Sequence, residues 1–379
     1  MKILVIQDFL RSGGTERQSI LLANAFAARK HPTTLLTFRP GGALATTTAA
    51  DVTRRALQPF DTGLDWFAPG LTGAVRQIHP DVVLCMGRMA NCQGARIQTT
   101  FPSAAVICTM RTGKQLPARF IHSLQTVRHI VANSSEARAA LVNQHAIASK
   151  KISVIHNSLV FPGSLATAEI AVALNALRTQ HAASKNTTIM LCVAMFRPEK
   201  NQRGLIEMAA QLPAGFDWQL WLAGEGPART ACETLVSEKQ LHARVKFLGF
   251  QRDPSALYAA ADIAVHASGS EALSNFVIEA QAHGLPAVVY QAQGMEECFV
   301  PGETGWAIPR DDAAGFRAAV LRLANDSAPV RADRSTAARA FARQSFDPAS
   351  QVAEYLDLFA SLETGRPLAD ETREKRCLE

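Results

Sequence analysis

The feature that most constrains this chain is an alternation that runs along it and then repeats. Short apolar, β-branched runs (KILVI, TTLLTF, DVVLCM, AAVICTM, HIVAN and ISVIHN) are separated by amphipathic segments such as RQSILLANAFAARK and SSEARAALVNQH. Apolar strands joined by helical crossovers are what a parallel sheet covered on both faces requires. After a polar stretch around residues 161–187, which reads as a linker, the pattern restarts. TTIMLCVAMF, WQLWLAG, VKFLGF, DIAVHAS and LPAVVYQA are the next strands. The alternation therefore predicts an α/β protein of two Rossmann-like domains, their parallel sheets facing across a cleft, with ligands at the C-terminal ends of strands. Thr15 with Gln18 reads as a capping box for the first helix, and Ser134 or Ser135 as the cap after HIVAN.

Composition supports this reading. A chain of 379 residues is long enough for two cores, and 47% hydrophobic with 19% charged content is that of a folded protein. No apolar run approaches the roughly 18–20 residues that span a bilayer. KILVIQDF is interrupted by Asp8 and reads as a first strand rather than a signal-peptide core, so a cytoplasmic location is the expectation. The seven cysteines are scattered, odd in number and without a CxxC pair, which predicts reduced thiols. Charge is uneven. Residues 1–160 carry 18 Lys+Arg against 7 Asp+Glu, whereas the remainder carries 21 against 26. A basic first half suits an anionic partner such as phosphate or an acidic membrane face. Nucleic acid is the weaker choice, because no aromatic–basic interleaving accompanies the charge.

Several constellations follow strands. Ser12-Gly13-Gly14-Thr15 opens the first helix, where glycines let a ligand approach free backbone N–H groups, or simply form a turn. It is not GxGxxG, and no acidic residue ends the second strand, so a dinucleotide fingerprint is absent. Phe196-Arg197-Pro198-Glu199-Lys200 sets two cations at a strand end, either for a diphosphate or as a solvated turn paired with Glu199. Gly224-Glu225-Gly226-Pro227 reads as a tight turn, and Gly302-Glu303-Thr304-Gly305 as a hairpin turn. In SEALSNFVIEAQAHGLP, Glu271 falls in a loop, Ser274 or Asn275 caps a helix, and Glu279 lies within that apolar helix. A buried carboxylate needs partners, and ribose hydroxyls or an arginine would serve. His122 and His129 read as surface or packing residues of a helical stretch.

In order, GGTERQ, VANSSEA, KISVIHNS, VAMFRPEKNQ, WLAGEGP, VKFLGF, the Glu271-to-Glu279 stretch and QGMEECFVPGETGWAIP resemble glycosyltransferase family 4, the retaining GT-B enzymes. The resemblance runs over about residues 1–310. FDPASQVAEYLDLFASL resembles the family's terminal helix, which returns to the N-terminal domain. It implies an acceptor domain of residues 1–160 plus 350–379 and a donor domain of residues 161–349. Glu271 would hold donor-sugar hydroxyls and Glu279 the ribose. Arg197 and Lys200 would grip the diphosphate, helped by backbone N–H groups of Leu273, Ser274 and Asn275. Gly13 and Gly14 would close on the phosphates, and Phe250 and Gln251 lie at the base pocket. Arg111, after the fourth N-domain strand, takes the place of a histidine found in many members; an arginine is no general base near neutral pH. It would orient the acceptor, which fits a mechanism in which the leaving phosphate takes the acceptor proton.

The expected function is transfer of a hexosyl or N-acetylhexosaminyl group from a nucleotide-sugar, UDP-sugar favoured, to a glycan or lipid-linked acceptor in cell-envelope polysaccharide synthesis. No metal is expected: the chain has no D-x-D, and two cations with a helix N-terminus stabilise a leaving diphosphate. The basic N-domain suggests a peripheral position on an anionic membrane face. Two alternatives stand beside this: a small soluble acceptor such as a sugar phosphate, and a non-catalytic nucleotide-sugar-binding protein.

Overall fold

The computed structural model describes residues 1–161 and 176–364, and within them the apolar runs form two parallel sheets. The chain divides into two units: Met1–Arg111, Gln115–Ser158 and Pro348 onward form the first, and Thr112–Lys114 with Leu159–Asp347 the second.

In the first unit the strands are β1 (Ile3–Gln7), β2 (Thr33–Thr37), β3 (Thr53–Ala56), β4 (Val82–Cys85), β5 (Ala105–Met110), β6 (His129–Ala132) and β7 (Ile152–Val154). They lie in the order β3-β2-β1-β4-β5-β6-β7. β1 is buried on every residue and sends alternate side chains to opposite faces: Leu4 and Ile6 join one core, Ile3 and Val5 the other. The order reverses between β1 and β4, and at such a switch point the loops after the two strands diverge and leave a crevice. Helix α1 (Gly14–Ala28) follows β1.

The second sheet is built from β8 (Thr188–Val193), β9 (Trp218–Ala223), β10 (Val245–Gly249), β11 (Ile263–His266), β12 (Ala287–Tyr290) and β13 (Gly305–Ile308), ordered β10-β9-β8-β11-β12-β13. Its switch point lies between β8 and β11, paired through Met190 with Ile263 and Leu191 with Ala264. The loop after β8 leads to helix α2 (Gln202–Ala209), and the loop after β11 to helix α3 (Asn275–Ala282). The last helix, α4 (Pro348–Thr364), belongs to the first unit, where Tyr355 and Phe359 pack on Phe26 with ring centroids 6.3 and 5.5 Å away.

The sequence reading departs from the structure in several places. It missed β3, whose residues Thr-Arg-Arg-Ala are all exposed at a sheet edge and carry no apolar signal. Arg111 therefore follows the fifth strand of its sheet, not the fourth. It also missed β13: the turn before Gly305 leads into a strand parallel to β12, so it is not a hairpin. The capping box does not form, because Gly13 is the N-cap without a side-chain bond and Gln18 turns inward to donate to the Ser158 carbonyl at 2.6 Å. Ser134 does cap its helix, accepting from the Ala137 N–H at 3.0 Å. His129 opens β6, is buried and meets Ser153 Oγ at 2.9 Å, so it is not helical. Of the linker reading, residues 162–175 lie outside the described residues. Residues 176–187 group with the second unit, where Arg178 donates to the Ala260 carbonyl at 2.8 Å. The charged tail beyond residue 364, with Cys377, also lies outside the described residues. Cys85, Cys92, Cys108, Cys192, Cys232 and Cys298 are free thiols.

Candidate functional site

The adjacency of β8 and β11 brings together side chains 71 residues apart in sequence. After β8 the chain turns at buried Phe196 and passes through a 3-10 turn, Pro198–Lys200. Asn201 takes a left-handed conformation (φ 50°) and caps α2 by accepting from the Gly204 N–H at 3.1 Å. The loop is braced by the Gly224–Pro227 turn. Gly224 and Gly226 have φ of 140° and 151°, and a Cβ at either would strike the carbonyl oxygen of Ala194 or Phe196. This turn needs glycine for both conformation and close approach. It fixes the backbone from which Lys200 extends.

Lys200 Nζ donates to Glu271 Oε1, and His266 Nε2, at the end of β11, meets the same oxygen at 2.8 Å. The Glu271 side chain is 11% exposed and that of Lys200 23%. Burial alone would raise the Glu271 pKa, but the Lys200 ammonium and the His266 hydrogen bond outweigh it and hold the carboxyl at about 2. Burial pushes the His266 pKa down against the pull of Glu271. The imidazole is therefore neutral near pH 7, with the hydrogen on Nε2 assigned from the carboxylate it faces. Nδ1 faces the Cys192 thiol at 3.9 Å, and burial drives that thiol's pKa up to about 12. Beyond Glu271, Ser274 is the N-cap of α3, its hydroxyl 3.5 Å from the Val277 N–H. The three amides named from the sequence are not equivalent: that of Ser274 is already directed at Cys298 Sγ, 3.4 Å away.

Glu279 lies one turn into α3, half-buried on a helix otherwise buried nearly all round. Its Oε2 accepts from the Tyr258 hydroxyl at 2.6 Å, and the Tyr258 ring stacks on His283 at 4.7 Å and on Phe276 at 6.1 Å. Arg197 is half-buried, and its guanidinium donates no hydrogen bond among the described residues. Phe250 is 43% exposed just beyond β10, and Gln251 donates its amide to the Leu248 carbonyl at 2.7 Å. The sequence reading missed His266 and Tyr258. A histidine inside an otherwise apolar strand was the available signal for the first; nothing local marked the second.

The first unit holds its candidates separately. Gly13 and Gly14 form the start of α1. Arg111 donates to Asn157 Oδ1 and, at 2.9 Å, to the Tyr355 hydroxyl on α4. Both partners are neutral, and Arg111 Nε is buried without a hydrogen-bond partner among the described residues. Asp8, after β1, accepts from the N–H groups of Met89 and Ala90 at 2.9 and 2.7 Å. Burial drives its pKa up to about 7 despite those two bonds.

The chain matches two family models, Glycosyltransferase Family 4 over residues 12–159 and Glycosyl transferases group 1 over residues 175–341. Among curated relatives, the lipopolysaccharide core biosynthesis glycosyltransferase LpsE of Rhizobium meliloti is 32% identical over 139 residues, 37% of this chain and 40% of the relative. N-acetyl-alpha-D-glucosaminyl L-malate synthase of Bacillus anthracis is 27% identical over 150 residues, 40% of this chain and 39% of the relative. These matches span about two fifths of the length of either relative. Among solved structures, Anabaena Alr3699/HepE in complex with UDP superposes with a TM-score of 0.80 at 22% identity, covering 95% of this chain and 100% of that one. That likeness shows the fold, which is GT-B. With both models matched in order over most of its length, the chain belongs to the group 1, family 4 glycosyltransferases.

Proposed function

We propose that the chain transfers a sugar, with retention and without a metal ion, from a nucleotide-diphosphate donor to a hydroxyl of a glycan or lipid-linked acceptor in cell-envelope polysaccharide or lipopolysaccharide synthesis. The observation that carries this is the interlocked Lys200–Glu271–His266 cluster at the switch point of the second sheet. A carboxylate held ionised accepts hydrogen bonds from donor-sugar hydroxyls. Lys200, Arg197 and the N-terminus of α3 meet the diphosphate as charge develops on it. The anomeric C–O bond breaks with its electron pair going to the phosphate oxygen. The acceptor oxygen bonds to the anomeric carbon on the same face, and its proton passes to that leaving oxygen. Glu279, already turned toward a hydroxyl donor, takes the ribose, with Phe250 and Gln251 at the base. Gly13 and Gly14 close on the phosphates, and Arg111, a cation with neutral partners, orients the acceptor.

UDP-sugar is favoured, and the UDP complex of Alr3699/HepE supports that choice. The role of LpsE in lipopolysaccharide core biosynthesis supports an envelope glycan acceptor; the N-acetyl-alpha-D-glucosaminyl L-malate synthase of Bacillus anthracis supports the second reading, a small soluble acceptor. No helix among the described residues is long and apolar enough to cross a membrane. We place the protein in the cytoplasm, peripheral to the membrane's inner face.

The test is a screen of UDP-, GDP-, ADP- and TDP-sugars in EDTA, reading thermal stabilisation and release of nucleoside diphosphate. Stabilisation and slow release with a UDP-sugar are expected. Stabilisation without release, from any donor or acceptor, would favour a binding protein, and silence across all donors would overturn the reading.

A further inference from the structure

Seven large hydrophobic side chains are exposed among the described residues, and four of them, Phe60, Leu64, Trp66 and Phe67, lie within one stretch of eight. Phe60 is 69% exposed and Trp66 62%, and the Trp66 and Phe67 rings meet edge-on at 6.0 Å. This loop is held from within by polar groups. Gln58, itself buried, donates to the carbonyls of Leu64 and Phe67 at 2.9 and 2.7 Å and accepts from the Thr62 hydroxyl at 2.8 Å. The two acidic residues of the loop are neutralised. Arg39 grips Asp61 through two bonds of 2.7 and 2.9 Å and reaches Asp65 at 2.8 Å, while Arg11 takes Asp65 at 2.7 Å. Both guanidinium groups also lie over the Phe9 ring, at 4.0 and 5.1 Å. The loop is thus pinned in one shape that presents its apolar residues to solvent and pairs both of its carboxylates with arginines.

Basic side chains flank it. The strand leading in, β3, is exposed throughout and carries Arg54 and Arg55. The helix leading out, Leu71–Ile78, carries exposed Arg76, and Arg55 reaches its Gln77 at 2.8 Å. Aromatic residues that insert at a headgroup boundary, bordered by arginines, are complementary to a lipid surface of negative charge. We infer that the loop of residues 60–67 docks the first unit on an anionic bilayer, with Phe60 and Trp66 inserting and Arg55 and Arg76 facing headgroup phosphates. The inference builds on the proposed membrane-face position and names the surface. Vesicle binding is read without turnover, so it and the transfer reading fail separately.

The test is flotation of the full chain with vesicles of phosphatidylcholine alone and of phosphatidylcholine with phosphatidylglycerol. Binding to the anionic vesicles is expected, weaker on neutral ones. Phe60→Ser with Trp66→Ser should lower the partition coefficient about tenfold or more. Arg55→Glu with Arg76→Glu should lower it about tenfold at low salt and less at high salt. All four positions are exposed, so melting temperatures should stay near that of the wild type. Absence of wild-type binding overturns the inference, as does undiminished binding of the serine variant. A wild-type dimer that the serine variant dissolves would overturn it in favour of a second copy as the occupant.

Discussion

Each of the two sheets carries a half-buried carboxylate at its switch point, and the two are built to opposite ends. Asp8 follows β1 and meets the backbone N–H groups of Met89 and Ala90 in the segment after β4. Glu271 follows β11 and meets an ammonium and an imidazole, Lys200 from the loop after β8 and His266 from its own strand. Both pay desolvation, yet the pKa is about 7 for Asp8 and about 2 for Glu271. Two amide dipoles do not offset burial of a carboxylate, whereas a full positive charge with a neutral hydrogen-bond donor does. The first arrangement ties one loop to the next. The second keeps a permanent negative charge next to a cation, where the proposed function puts the donor sugar.

Removing the cation should break the contrast most severely. Lys200→Met leaves Glu271 half-buried without its counter-ion. It should cost about 2–4 kcal/mol in urea unfolding at neutral pH, below the fully buried limit because Lys200 is partly exposed. If Lys200 meets the leaving diphosphate as proposed, the same variant should lose about 10²–10³ in turnover. A stability within experimental error of the wild type would show that the pair is not what holds Glu271 ionised.

The two carboxylates should also leave opposite marks on the pH dependence of stability. Glu271 has a depressed native pKa, so its contribution is complete above 4.5 and is lost as pH falls toward about 2. Asp8 has a raised native pKa, so the native state keeps a proton that the unfolded chain releases. Its contribution is complete below 3.8 and is lost as pH rises through about 7. Asp8→Asn should remove that second loss, a change of a few kcal/mol in the difference between pH 4 and pH 8 unfolding free energies. Parallel profiles for variant and wild type would contradict the assignment.

The smallest effect concerns His266, which touches Glu271 rather than any reacting atom. His266→Leu should cost about tenfold in kcat/KM for the donor, the worth of a hydrogen bond to a charged group. It should also move the acid limb of the pH–rate profile upward, because Glu271 loses a group that stabilises its charge. His266→Asn, which keeps a donor, should recover part of both. A merely structural histidine would lower the folded fraction without moving the acid limb.

The alternation of apolar runs and helical segments made the doubly wound α/β architecture legible, because strands covered on both faces must be apolar throughout. The edge strand β3 escaped notice since Thr53–Ala56 touches no core, and β13 because Gly305–Ile308 is short and follows a glycine turn. Glu271 and Lys200 each drew attention for its place after a strand. Their pairing was not legible, because contact across 71 residues depends on which strands neighbour one another. The same holds for Tyr258, which reaches Glu279 from a different helix. Strand order is a property of the folded sheet, and local spacing does not encode it.

Glu271 is proposed to serve the donor sugar from its pair with Lys200. The most direct test is release of nucleoside diphosphate from a UDP-sugar, in EDTA, by the wild type and by Glu271→Gln at equal folded fraction checked by thermal unfolding. We predict measurable release by the wild type and a fall of about 10²–10³ in the variant. Release by Glu271→Gln within a few-fold of the wild type would contradict it.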